Sequence, residues 1–289
     1  MRAENRGMLV GFVGIVIFSL TLPTVKIAIE VFSPWFIAFG RAALAGSVAA
    51  CWLLVRRAPL PARADLPGYA LTACGIVWGF PVFMNLALVE GSSAHGAVVL
   101  GILPLVTTLL GVLRTSERPS LGFWMMALLG SALVLAYAML QSSGALTSVD
   151  LLLLLACLAA ATGYTEGTRL SQRTDPRLVI SWILAMTLPV NLALSLYTFS
   201  PAFLTANPAQ WLSFAYNGLF SMFIGFFFWY EGLATGGIAR VSQVQLLQPF
   251  CTLLAGWLVL GEALTLINLG FALAVVGVVF AGRKLAVRR

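Results

Sequence analysis

The sequence predicts an all-α polytopic membrane protein in which ten transmembrane helices form two five-helix inverted-topology repeats around a central cavity. Three observations lead to this fold. Apolar runs of bilayer length recur along the chain. Arg and Lys fall on one side only of the resulting pattern, and the second half echoes the first at a fixed offset. Composition agrees: the 289 residues are 60% hydrophobic and 9% charged, where a soluble domain carries about 25% charged residues.

The first span, Met8–Ile29, follows Arg2 and Arg6. It is too long for a signal peptide and reaches Lys26 without a small-residue cleavage site, so it reads as a retained span. The second, Pro34–Val55, runs into Arg56, Arg57 and Arg63. The third and fourth, Gly68–Glu90 and Ala94–Leu113, are joined by a turn carrying His95 and lead to Arg114 and Arg118. The fifth, Leu121–Leu140, ends in the polar stretch Gln141–Ser148, which reads as a linker. The sixth, Asp150–Leu170, closes on Arg169, Arg173 and Arg177, and the seventh is Leu178–Phe199. The eighth is Ala209–Leu233, and the ninth, Ile238–Leu260, opens on Arg240. The tenth, Leu266–Gly282, precedes Arg283, Lys284, Arg288 and Arg289. Of the 17 basic residues only Lys26 and Arg41 fall elsewhere, both within spans. The positive-inside bias therefore predicts both termini in the cytoplasm.

The net charge of +7 belongs to span ends facing anionic lipid headgroups and is no nucleic-acid footprint. The four cysteines, Cys51, Cys74, Cys157 and Cys251, lie in apolar runs without metal-ligand spacing and read as packing residues. No cofactor is expected. The expected partners are a small-molecule substrate and membrane lipids, with the chain a monomer or weak homo-oligomer.

Residues 87–136 and 232–281, compared at an offset of 145, are identical at 15 of 50 positions. The matches include Gly91/Gly236, Pro104/Pro249, Gly111/Gly256 and Glu117/Glu262, which shared greasiness does not explain. Residues 1–143 and 144–289 are thus expected to be two repeats. An odd span count in each half inverts the second half in the membrane, the plan of many secondary transporters. Pro23, Pro81, Pro104, Pro189 and Pro249 lie within spans, where each frees a carbonyl, and are candidate hinges.

Candidate substrate contacts are polar and aromatic residues at depth. Trp78 and Asn85, seven apart, share one helical face with Pro81 and Val82. Phe223 and Tyr230 match them in the eighth span. Gln245, Gln248 and Thr252 form a polar stripe in the ninth, read either as helix-bridging or as substrate-contacting. Trp182, Met186 and Pro189 share a face of the seventh, and the sixth offers Tyr164 and Thr165. Trp35, Trp124 and Trp211 lie near span ends and read as interfacial anchors.

Lys26 and Glu30 are one turn apart and are expected to pair, with Arg41 near the same outer junction. Glu117 and Glu262 are expected to cap or pair at short loops, and His95 reads as incidental. No carboxylate lies at the centre of a span, which favours a neutral or zwitterionic solute without obligatory proton exchange. Glu90 and Glu231, near span ends, are the alternative proton carriers. No nucleophile elbow, paired carboxylates, His-Glu-x-x-His or phosphate-cradling glycine loop is present, which disfavours an enzyme or an ATP-driven pump.

Pro34-Trp35…Arg41-Ala42-Ala43-Leu44, Leu103-Pro104…Glu117…Gly122 and Gln248-Pro249…Gly261-Glu262…Gly270 resemble the EamA repeat of the drug/metabolite transporter superfamily, twice over nearly the whole chain. The second unit departs from the first, with Leu184 near where a counterpart of Arg41 would stand. Within the family the aromatic residues resemble those of bacterial aromatic amino-acid exporters. The resemblance implies alternating-access export across a bacterial inner membrane, with the fifth and tenth spans peripheral.

Reporter fusions after Ser142 and after Arg289 are expected to report opposite sides of the membrane. Both on one side would remove the inversion.

Overall fold

The computed structural model describes residues 3–114, 118–141, 147–283 and 287–288. Glu117 and most of the expected linker lie outside them. Eight helices among the described residues are long and apolar enough to cross a bilayer: α1 (Asn5–Ala28), α2 (Pro34–Arg56), α3 (Arg63–Glu90), α4 (Ser93–Arg114), α6 (Ser148–Ser171), α7 (Pro176–Tyr197), α8 (Pro208–Gly236) and α9 (Ile238–Leu260). Helices α5 (Leu121–Gln141) and α10 (Leu266–Arg283) take the places of the expected fifth and tenth spans and pack on each other. A two-residue antiparallel pairing, Arg118–Pro119 with Val287–Arg288, is added beside them.

Local signals set the ends. Ser33 caps α2, accepting from the Phe36 N–H at 3.1 Å ahead of a first-turn proline. Thr147 and Asp150 form a capping box on α6, and Asn207 and Gln210 form another on α8. Gly261, at φ +66°, closes α9 in a left-handed turn.

The two halves interleave. Helix α1 packs along α8, and the equivalent pairing in the other direction sets α3 along α6. Both contacts depend on glycines that bring backbones together. A Cβ at Gly232 would sit 2.7 Å from the Gly11 nitrogen, and one at Gly7 would sit 2.6 Å from the Gly236 nitrogen. On the other side, a Cβ at Gly75 would sit 2.8 Å from the Gly163 nitrogen. In a bilayer, where lipid is as apolar as leucine, such close approach is a main source of helix association.

Corresponding helices of the two halves run antiparallel. Gly40 faces Ser195 while Gly46 faces Leu184 across α2 and α7. Ser93 meets Glu262 while Gly111 meets Ile238 across α4 and α9. Tyr137 donates to Asn268 across α5 and α10. Equivalent helices meeting head to tail are what inversion requires; a parallel repeat would align them.

Helix irregularities are duplicated too. Wide π-helical turns occupy Ala73–Gly79 in α3 and Asn217–Ile224 in α8, and the offset of 145 superimposes them. Tight 3-10 turns precede Pro104 and Pro249, at Leu100–Ile102 and Ser242–Leu247. A proline lacks the N–H that the carbonyl four residues earlier needs, so the turn before it re-pairs. Pro23, Pro81 and Pro189 sit within α-helical turns, and Phe226 stands where Pro81 would recur. The π turn in α8 therefore needs no proline.

Span-end charges differ from expectation. Lys26 does not pair with Glu30; its ammonium donates to the Leu88 carbonyl at 2.9 Å, in the last turn of α3, where the helix dipole favours a cation. Glu30 accepts from Gln210 at 3.1 Å. Glu262 does cap: it accepts from the Ser93 hydroxyl at 2.6 Å and from the Ser93 and Ala94 amides at the start of α4. His95 is not an isolated loop residue; its Nε2 lies 2.8 Å from Asp150 Oδ1 and its ring stacks on Tyr137.

Gly232→Leu and Gly75→Leu are each expected to cost about 3 kcal/mol or more, because a backbone rather than a side chain must move. Gly270→Ala, with open space around it, should be neutral. Thermal melts of the detergent-purified variants would check both.

Candidate functional site

Where the two halves meet, an internal cavity is lined from both repeats. The first contributes Phe18, Thr21 and Leu22 of α1, Arg41 of α2, Ile76 and Phe80 of α3, and Leu100 and Leu103 of α4. The second contributes Tyr164 of α6, Ser221 and Phe226 of α8, and Gln248 of α9. Five of these twelve residues stand at a helix irregularity. Thr21 follows the break in α1 at Leu20; Ile76 and Ser221 lie in the two π turns; Leu100 and Gln248 sit at the 3-10 turns. In lipid, irregular backbone is tolerated where it faces protein or a cavity, so the breaks and the cavity belong together.

One wall is aromatic. Phe18 and Phe226 lie 5.1 Å apart between ring centres, and Tyr164 packs on Phe226 and edge-on to Trp229. The opposite character comes from hydroxyls, amides and one cation. Thr21 and Ser221 share a hydrogen bond of 2.8 Å across α1 and α8. Asn217 donates to Thr24 Oγ1 at 2.9 Å, and its Oδ1 accepts from Arg41 Nη1 at 3.4 Å. Arg41 is 2% exposed and its Nε lacks a partner. The Gln248 Oε1 is also buried without a partner, as are both amide atoms of Gln243, which is not among the lining residues. The space left for the centres of water-sized molecules is about 20 Å³, room for about one water. This conformation is closed to anything larger.

Two further cavities differ in kind. A groove of about 510 Å³ between α5 and α10, lined by residues such as Leu133, Ile267 and Phe271, is apolar and peripheral. Another of about 270 Å³, between α3, α4 and α6, carries Arg114, Thr165 and Glu166. Glu166 is ion-paired with Arg169 there, and its Oε2 has no partner.

The residues singled out in the sequence divide. Tyr164 and Gln248 line the central cavity. Gln245, 2% exposed, lies next to the Tyr164 hydroxyl. Trp78 instead donates its indole N–H to Asn191 Oδ1 at 2.8 Å, joining α3 to α7. Asn85 donates to the Pro34 carbonyl at 3.1 Å, joining α3 to α2. Tyr230 donates to the Gly163 carbonyl at 3.1 Å, and Trp182 to the Pro59 carbonyl at 3.0 Å. Each has a partner on a neighbouring segment, while the Asn85 Oδ1 stays buried without one. Met186 and Pro189 are exposed on α7, whose buried face packs on α2 instead.

Arg41, expected near the outer junction with Lys26 and Glu30, lines the cavity instead. Its signal was there: an arginine well inside an apolar span is costly, and such residues mark function more often than packing.

Known proteins share this architecture. A Bacillus subtilis protein named as the uncharacterized transporter YdeK is 42% identical over 286 residues, covering 99% of this chain and all of its own. An uncharacterized transporter of Archaeoglobus fulgidus is 28% identical over 278 residues, covering 92% of this chain and 95% of its own. A crystal structure with 20% identity superposes at a TM-score of 0.67 over 98% of this chain and 96% of its own, a likeness of fold. The sequence profile of the EamA-like transporter family matches twice, at residues 5–139 and 147–283. A twice-matched profile, a closely similar relative of the same length and a multi-pass helical fold of inverted halves converge: the chain belongs to the EamA-like transporter family.

Proposed function

We propose that this membrane transporter exports small amphipathic metabolites, aromatic and other neutral amino acids foremost, across a bacterial inner membrane by alternating access between its two repeats. The observation that carries this reading is the closed cavity at the repeat interface, with an aromatic wall on one side and unpartnered polar atoms on the other. About 20 Å³ admits no amino acid, whereas sites for small organic molecules occupy about 300 Å³ or more. The helices must therefore part before a solute enters. The duplicated breaks before Pro104 and Pro249 give matching places for that movement in each repeat. Alternating access follows if one repeat's bend opens one side and its inverted counterpart opens the other. Tyr164, Gln245 and Gln248 are the substrate contacts on this reading.

No carboxylate lines the cavity, so a net-neutral solute needs no proton to balance it there. A second reading, exchange against protons, is favoured by Glu166, buried at 4% exposure beside its own cavity and holding one unpartnered oxygen. Glu231, paired with Arg6 at 3.4 Å, and the exposed Glu90 lie at helix ends away from the cavity.

Liposomes containing the purified protein test both readings. Labelled phenylalanine is expected to exchange across the bilayer with no imposed pH gradient, ahead of threonine and well ahead of a cationic dye. Gln248→Ala should lower exchange about tenfold, the weight of one hydrogen bond near 1.4 kcal/mol, with melting temperature unchanged. Flux that requires a proton gradient and is lost in Glu166→Gln would favour proton exchange instead.

Trp78→Phe separates packing from binding. It removes the bond to Asn191 and should cost about 1–3 kcal/mol of stability, since the buried Asn191 acceptor is left unpaired, without changing the substrate KM. A raised KM at unaltered stability would return Trp78 to the site.

A further inference from the structure

We infer that Arg41 is the anchor for a single carboxylate on the transported solute. The inference rests on the transport reading above and names the chemistry of its cargo.

Arg41 lies on α2, 2% exposed, with its side chain on the central cavity. Among the described residues no carboxylate is within ion-pair distance of it. Its one hydrogen bond, to Asn217 Oδ1, is long at 3.4 Å, and its Nε has no partner. A guanidinium presents five N–H donors and stays charged at any physiological pH. Most of its donors are therefore unspent, and its charge is uncompensated in a setting where a buried ion costs several kcal/mol unless paired. Asn217 does not relieve this. Its amide is already committed to Thr24 and to the Ser213 carbonyl, which holds its oxygen toward Arg41 as a neutral dipole only.

The missing partner is an anion that arrives and leaves. A planar carboxylate matches the fork of a guanidinium with two parallel hydrogen bonds. The rest of the cavity suits an amino acid: Phe18 and Phe226 offer an apolar surface, and the unpartnered Oε1 of Gln248 offers an acceptor for an ammonium. The duplication adds a count. No Arg or Lys lies near residue 186, where the offset of 145 would repeat Arg41, so one cation faces the cavity rather than a symmetric pair. One permanent charge fits a monocarboxylate or zwitterion.

The test is competition against labelled phenylalanine exchange in liposomes, using 3-phenylpropionate, which keeps the carboxylate, and phenethylamine, which keeps the ammonium. In the wild type, 3-phenylpropionate should compete at least tenfold better than phenethylamine. Arg41→Gln should raise the KM for phenylalanine at least tenfold and erase that preference; Arg41→Lys should recover part of it. A purely structural arginine predicts something else, so melting temperature is read alongside. Arg41→Gln is expected to melt no lower than the wild type, because an unpaired charge does not stabilise the empty protein. Exchange unchanged in Arg41→Gln, phenethylamine as the better competitor, or a melting temperature lowered by several degrees in Arg41→Gln would each overturn the inference while leaving transport itself standing. If the wild type exchanges none of these aromatic solutes, the substrate reading fails separately, and melting in 3-phenylpropionate, lactate and acetate decides for Arg41. A rise in the wild type that Arg41→Gln lacks supports the anchor, and no rise in either overturns it.

Discussion

The glycine contacts that bring α1 against α8 and α3 against α6 hold the rest of the molecule in place. Gly11 and Gly232 on one side, and Gly75 and Gly163 on the other, let backbones approach to a distance that any side chain would prevent. Each contact crosses from one repeat to the other, so neither half builds its packing alone. Helix α2 against α7 closes the centre of the assembly, and the cavity is the space these contacts leave. Packing by close approach suits a lipid surrounding, where burying apolar side chains gains little over leaving them in the bilayer.

A second constraint runs through the same helices. In an apolar medium every backbone polar group needs a partner, which favours unbroken helices. This chain breaks its helices at duplicated places, the π turns of α3 and α8 and the 3-10 turns of α4 and α9, and the breaks gather around the cavity. Irregular backbone and polar side chains thus gather at one interior region, while the groove between α5 and α10 is apolar. The same arrangement places the helix irregularities beside the cavity.

Symmetry of backbone does not extend to charge. The repeats match in breaks and in helix pairing, yet no Arg or Lys lies near residue 186, where the offset of 145 would repeat Arg41. The duplicated backbone breaks and the single lining cation are therefore separate features, one shared by both halves and the other belonging to the first alone.

Hydropathy, the one-sided arginines and the offset of 145 determined where the helices lie and that the chain is built twice, because these are properties of whole segments and average over many residues. Pro104 and Pro249 marked the breaks for the same local reason, the missing N–H. What only the tertiary structure decided is which polar atom meets which. Trp78 and Asn85 share a helical face, as their spacing requires, but that spacing is silent on the neighbour opposite, and the neighbours were Asn191 and the Pro34 carbonyl. Lys26 turned from Glu30, one turn away on its own helix, to the carbonyl end of α3 for the same reason. Among the described residues, no carboxylate reaches ion-pair distance of Arg41 from helices far from it in sequence. A helical period fixes a direction around one axis, and partners are set by where the other axes pass.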